Sequence, residues 1–419
     1  MTAAGMAAIG RGATSRNRQR GFGIFYLILA AVIVLVFGQV EPGSETTFGL
    51  NIGKQTVPDL VIPSATTAYF LAALAAMAGV IQLTRGFGTR WAIVLAVVIS
   101  GFAFGFLTWA GSGGSMSLAG ILQTSLQRSV PITFGAMSGI LCERAGVVNI
   151  AIEGMLLSAA FTSAVVASAT ANPWIGIVAG IVTGGLVAAL LAVLAIRYLV
   201  DQIIAGVVIN ILVVGITSFL SSRVLAKLPE LNNPERMGPI AIPFLSDLPV
   251  VGGILFRQNL FIYACIAGVF ILHYMLFATR WGLRVRAVGE HPKAADTVGI
   301  NVFYVRYRNV ILGGMLAGLG GAYFTIGSTG SFQQEMTAGR GFIGLAAVIF
   351  GSWAPFGAFL AGIVFGFAEA VQSRLSILNI GLPSQFLQMV PYLVTIIVVA
   401  GLVGRVRAPA AEGRPYKKE

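Results

Sequence analysis

Long apolar runs separated by short polar stretches dominate this chain. Runs near 22–40, 64–84, 91–109, 119–141, 148–170, 174–196, 202–221, 259–277, 307–327 and 386–404 match the roughly 20 helical residues that a hydrocarbon core requires, and predict about ten transmembrane helices. A further apolar stretch, 341–376, is interrupted by Gly351-Ser352-Trp353-Ala354-Pro355 and predicts a broken helical hairpin, either re-entrant or fully crossing. Irregular backbone at membrane depth is tolerated only where it packs in protein or lines a cavity, which places this hairpin near a pathway. The expected fold class is an all-α polytopic membrane protein.

Composition agrees with that pattern. Hydrophobic residues make up 57% of the chain and charged residues 10%, against about 25% charged in soluble domains. Among the 53 glycines, GxxxG spacings at Gly101/Gly105, Gly135/Gly139, Gly180/Gly184, Gly314/Gly318 and Gly362/Gly366 suit close helix approach. The net charge of +12 sits in tails and short loops, where membrane orientation explains it better than nucleic-acid binding does. Arg85, Arg90, Arg144, Arg197, the stretch 278–309, and the tail with Arg405, Arg407, Arg414, Lys417 and Lys418 all fall on one side. Arg11, Arg16, Arg18 and Arg20 share it, so both termini are expected in the cytoplasm. The run 22–40 exceeds the roughly 7–15 residues of a signal-peptide core and reads as a retained first span. On the opposite face, the loop 222–259 carries Pro229, Pro234, Pro239, Pro243 and Pro249, which exclude a long regular helix; it is either a rim for an extracellular partner or a spacer.

Catalytic chemistry has no local basis. Walker A, HExxH, GxSxG and paired-carboxylate patterns are missing from the sequence, and Cys142 and Cys265 stand alone, so neither catalytic nor metal-binding residues are assigned. What remains are polar residues at apparent membrane depth. The densest group is CERAGVVNIAIEGML, 142–155, with Glu143, Arg144, Asn149 and Glu153. Glu143 and Glu153 would lie about 15 Å apart along one continuous helix, so a shared site needs a break, and Ala145-Gly146 offers one. Two readings stay open: a turn whose Arg144 pairs a carboxylate at the end of a translocation path, or a short turn with solvated charges. Asn210, between Gln202 and Thr217, could serve a hydroxylated ligand or an inter-helix hydrogen bond. Phe332, Gln333, Gln334, Glu335 and Arg340 follow the ninth span and are candidates to line a substrate entrance. The translocation-path candidates are therefore Glu143, Arg144, Asn149, Glu153, Asn210, Gln334 and Glu335.

The stretch 278–309 holds eight of the forty-two charged residues and one of the two histidines. Its own chemistry fits either a docking surface for a cytoplasmic partner or a basic loop that sets topology. The segments GILCERAGVVNIAIEGMLLSAAF (139–161), GLRVRAVGEHPKAADTVGI (282–300) and GRGFIGLAAVIFGSWAPFGAFLAGIVFGFAEA (339–370) closely resemble the permease subunits of bacterial ABC importers for nucleosides and simple sugars. Ribose and branched-chain amino acid permeases belong to the same broad family.

The resemblance covers about 118–405. It implies a permease core there, after a cytoplasmic basic tail (1–21) and an N-terminal extension with three transmembrane helices (22–117), and before a second basic tail (406–419). It further implies a multi-pass protein of the bacterial cytoplasmic membrane, surrounded by membrane lipids and assembled with ABC ATPase subunits, a second homologous permease and an extracellular substrate-binding lipoprotein. No cofactor is expected on this chain, ATP and Mg being held by the partner ATPase. The stretch 278–309 then corresponds to the ATPase-coupling loop, with Arg284, Arg286, Ala287, Val288, Gly289, Glu290, Pro292, Ala294, Ala295 and Gly299 matching the motif and His291 standing where relatives often have Asn. The motif around Glu143, Gly146, Asn149, Glu153 and Gly154 looks most like the nucleoside branch. Alternatives are a permease for branched-chain amino acids, and an ion-coupled secondary transporter, which would need carboxylates along the path and no docking segment.

Overall fold

A computed structural model describes residues 19–52, 57–378, 389 and 407–418. The chain divides into two compact units, Met1–Gly120 and Ile121–Glu419. In the first unit, α1 (Gln19–Phe37), α2 (Ser64–Thr84) and α3 (Trp91–Ala110) are each apolar enough to cross a membrane. Glycines bring α1 and α2 together: a Cβ on Gly23 would press on Leu83, and one on Gly79 on Leu27. Phe37 closes the other end of α1 against Phe102, Phe106 and Trp109. There β1 (Glu45–Gly49) pairs antiparallel with β2 (Leu60–Pro63) and parallel with β3 (Ser115–Ser117). The apolar pattern did not anticipate this small sheet. It forms because three connecting segments converge and pair backbone groups that would otherwise lack partners.

The second unit contains most of α4 (Leu118–Arg144), then α5 (Ile152–Thr170), α6 (Pro173–Ala192, continued as a wider turn to Arg197) and α7 (Gln202–Leu220). After an irregular loop with the single-turn α8 (Val251–Leu255) come α9 (Leu260–Ala278), α10 (Arg280–Glu290), α11 (Pro292–Thr297), α12 (Val302–Ala322), α13 (Arg340–Phe350) and α14 (Pro355–Leu378). Among the described residues nine helical segments are long and apolar enough to span. The run 386–404 lies outside the described residues. Helix α4 is less apolar, yet at 27 residues it is about 40 Å long. Ser125, Ser129, Thr133 and Ser138 are buried, and the hydroxyls of Ser125 and Ser129 donate back to the carbonyls of Ile121 (2.6 Å) and Leu126 (2.7 Å), so they cost little inside the bundle.

Small residues set the tightest crossing. Gly184 meets the backbone of Gly314 and Gly318 so closely that a Cβ would collide with both, and Gly321 leaves the same lack of room against the Leu156 carbonyl. The proline-rich loop forms a 3-10 turn at Pro229–Asn232 and a two-residue pairing of β4 (Ile240–Ala241) with β5 (Arg257–Gln258). The hairpin is unequal. Its first arm, α13, spans 11 residues, about 16 Å, too short to cross, whereas α14 spans 24, about 36 Å. Helix α13 runs along α4, Gly344 against Gly135 and Val348 against Gly139. The non-helical stretch before it starts at Phe332, which is bonded to Asn232 of the proline-rich loop. That stretch and α13 form the first arm, and α14, long and apolar enough to cross, forms the second.

Candidate functional site

Helix α4 stops at Arg144, Gly146 adopts a left-handed φ of +85°, and the chain turns back into the bundle before α5 starts at Ile152, beside Gly135 and Gly139. The break leaves backbone groups open inside protein, and polar side chains from distant helices close them. Gln202 Oε1 accepts from Val148 N (2.7 Å). Asn210 accepts from Gly154 N (2.8 Å) and donates to Ile150 O (2.9 Å). Glu153 accepts from Gly339 N (2.8 Å) and Gly341 N (2.6 Å), capping the start of α13. Asn149 donates to Ser138 Oγ and Cys142 Sγ, both at 3.3 Å, while its buried Oδ1 has no partner. Asn210 is thus committed to an inter-helix contact. Glu143 and Glu153 are not brought together.

Glu143 is buried and instead accepts a hydrogen bond from Trp353 Nε1 in the hairpin turn (2.5 Å). Arg144 donates to the carbonyls of Trp353 (3.1 Å) and Ser352 (3.3 Å) and lies over the Phe277 ring at the end of α9. Of the two readings left open for Arg144, neither holds: its partners are the two consecutive carbonyls that the turn leaves open after α13 ends. Ser352 (φ +55°) and Trp353 (φ +53°) both occupy the left-handed region, at about 1–3 kcal/mol each. The two bonds from Arg144 and the one to Glu143 hold that strained turn in place.

The segment 278–309 folds as two short helices between two spans. The Thr279 hydroxyl accepts from Gly282 N to start α10, Pro292 opens α11, Gly299 (φ +83°) ends it, and Asn301 caps α12. Gly282, Val285, Val288 and Gly289 form the buried face of α10. Gly289 sits so close to the Arg144 carbonyl that any Cβ would collide with it. Ala295 is buried, Ala287 half-buried, and Arg284, Glu290, His291 and Ala294 face outward. Arg286 also lies over Phe277, so it and Arg144 share one ring. One end of the bundle therefore gathers the α4–α5 break, the hairpin turn and α10.

Sequence reasoning missed a charged group further along α4. Glu369 of α14 accepts from Arg340 Nη2 (2.8 Å) and Nε (3.1 Å), and Arg128 approaches the same oxygen at 3.7 Å. Glu369 and Arg340 are nearly enclosed, while the Arg128 side chain is 40% exposed. Arg340 also lies over the Phe324 ring. The readable signal was charge inside apolar runs: Arg128 within 119–141 and Glu369 within 341–376. Gln334 and Glu335 are exposed on the loop before α13, Glu335 with φ +53°.

The family described as branched-chain amino acid transport system / permease component matches residues 121–399. The chain belongs to that family. It is 38% identical over 307 residues to the guanosine ABC transporter permease protein NupQ of Bacillus subtilis, covering 71% of this chain and 96% of the relative. It is 40% identical over 307 residues, with the same coverage, to the nucleoside ABC transporter permease protein NupC of Lactococcus lactis. The putative glucose ABC transporter permease protein TsgC13 of Haloferax volcanii is 32% identical over 324 residues, covering 72% of this chain and 98% of the relative. No solved structure gives a significant match. The chain is a multi-pass membrane permease subunit, and its first unit lies before the matched region.

Proposed function

We propose that this chain is the permease subunit of an ABC importer that carries nucleosides across the cytoplasmic membrane, driven by ATP hydrolysis on separate ATPase subunits. The observation that carries this reading is the α10–α11 module. It presents Arg284, Glu290, His291 and Lys293 outward while Gly289 locks its inner face to the end of α4. A rigid, charged helix joined at close range to a broken helix suits the transfer of force from an external motor, whose binding shifts an inward/outward equilibrium through different contacts in the two states. A module of this kind has no role in ion-coupled transport, and the names of the relatives speak against that reading too.

In this reading the α10 end faces the cytoplasm with both termini, a second permease completes the pathway, and an external lipoprotein delivers substrate. The path runs past the half-exposed Arg128, whose guanidinium carries five N–H donors and, among the described residues, approaches only Glu369. Nucleosides offer hydroxyl and base acceptors to such a group. Gln334 and Glu335 stand at its outer approach. Asn149, Glu153 and Asn210 shape the path indirectly by holding the break.

The test is uptake of labelled nucleosides and sugars into proteoliposomes containing this chain, its ATPase and a second permease, with the binding protein outside and ATP inside. ATP-dependent uptake that unlabelled nucleosides compete away is the expected result. Uptake by this chain alone, driven by a proton or sodium gradient and indifferent to ATP, would overturn it.

A further inference from the structure

Residues 407–418 do not behave as a solvated basic tail. Ala411 and Tyr416 are 5% and 6% exposed. The segment turns at Pro409–Glu412, helped by Gly413 at φ +71°, and lies across the end of α10. Ala411 N donates to Gly289 O (2.8 Å) and Ala410 N to the Glu290 carboxylate Oε2 (3.3 Å), so the segment supplies a donor to one of the last carbonyls of α10, which the helix itself leaves open.

Three other elements are held by the same few residues. Tyr416 packs with Val288 of α10, Ala295 of α11 and Val302 of α12, its ring 5.4 Å from that of Phe303. The almost fully buried Arg306 of α12 donates to Arg414 O (3.1 Å). Gly146 of the α4–α5 break has no room for a side chain between Arg306 and the Ala411 carbonyl, and Gly413 lies against Val148. Lys418 approaches Asp296 of α11 at 3.6 Å.

Helix α10 is joined to its flanking span α12 by α11 and a turn, and to the break by the close approach at Gly289. The segment 407–418 touches α10, α11, α12 and the break at once. We propose that this segment is a working part of the coupling apparatus, a clamp that makes α10, the α4–α5 break and the start of α12 move as one body when a motor protein pushes on α10. The inference rests on the importer reading above and goes beyond it by assigning a coupling role to a segment outside both the coupling loop and the matched family region.

The experiment compares the unaltered importer complex with two variants, one ending after residue 406 and one carrying Tyr416→Ala. For each, ATPase co-purification, ATP hydrolysis and nucleoside uptake are measured per assembled complex. The expected result is retained assembly, continued hydrolysis, and a loss of roughly tenfold or more in nucleoside carried per ATP, within the range that a coupling free energy of this kind covers. Tyr416→Phe, which keeps the ring against Phe303, should recover most of the ratio. An unchanged ratio in both variants overturns the clamp. Loss of the ATPase from the complex also overturns it, because the segment would then be a docking surface and not a positioning one. Absence of ATP-dependent uptake by the unaltered complex is a different failure, which removes the importer reading itself and the inference with it.

Discussion

Asn210 satisfies one donor and one acceptor of a backbone that has left its helix. Asn210→Ala leaves the buried Gly154 N–H without a partner, at a cost of about 1–3 kcal/mol. The expected outcome is a lower unfolding midpoint in detergent, with the remaining folded fraction still able to bind the ATPase. Glu412 lies outside any span, and burial raises its carboxyl above the ordinary value, with the Glu143 carboxyl as its hydrogen-bonding neighbour. Because the packed state holds the proton more tightly than the free state, packing of 407–418 is strongest at low pH and weakens as pH rises through the raised value. Cleavage of this segment by added protease should therefore increase with pH in the natural protein and be flatter in Glu412→Gln. Sequence alone located the polar cluster 142–155 but not its partners. Gln202, Asn210, Gly339 and Trp353 lie 54 to 210 positions away from the groups they bond, and no local pattern encodes such pairings.

At the scale of elements, the hairpin was legible because Pro355 and Gly351 interrupt an apolar run, a local signal that survives in the fold. Its inequality was not legible, since the first arm is completed by non-helical backbone held through Asn232 and Glu153. Nor was the three-stranded sheet of the first unit, whose strands come from separate connections. The Arg340–Glu369–Arg128 group joins three helices, and its members play unequal parts. Glu369→Ala leaves Arg340 buried without its counter-charge, a change worth about 3–5 kcal/mol, so little folded protein should be recovered from membranes. Arg128→Ala removes a half-exposed charge and should leave yield unchanged while lowering uptake, read as a smaller maximal rate in proteoliposomes.

For the molecule as a whole, the coupling end is where a substitution should separate energy use from transport. Glu290→Arg and Gly289→Pro are expected to insert normally and to abolish ATP-driven uptake, since one reverses an outward charge that also accepts from Ala410 and the other disrupts the contact with the Arg144 carbonyl. Normal uptake by either would refute the coupling role of α10. The first unit has its own compact core, and the family match begins after it, at residue 121.

Trp353 is one of five tryptophans and is 5% exposed, with its indole N–H on the Glu143 carboxyl. Indole emission responds to a nearby carboxyl and to water, so with the other four replaced by phenylalanine the protein would carry its own optical gauge. A change in emission on adding nucleotide to the assembled complex would report, in real time, the opening and closing of the joint between α4 and the hairpin.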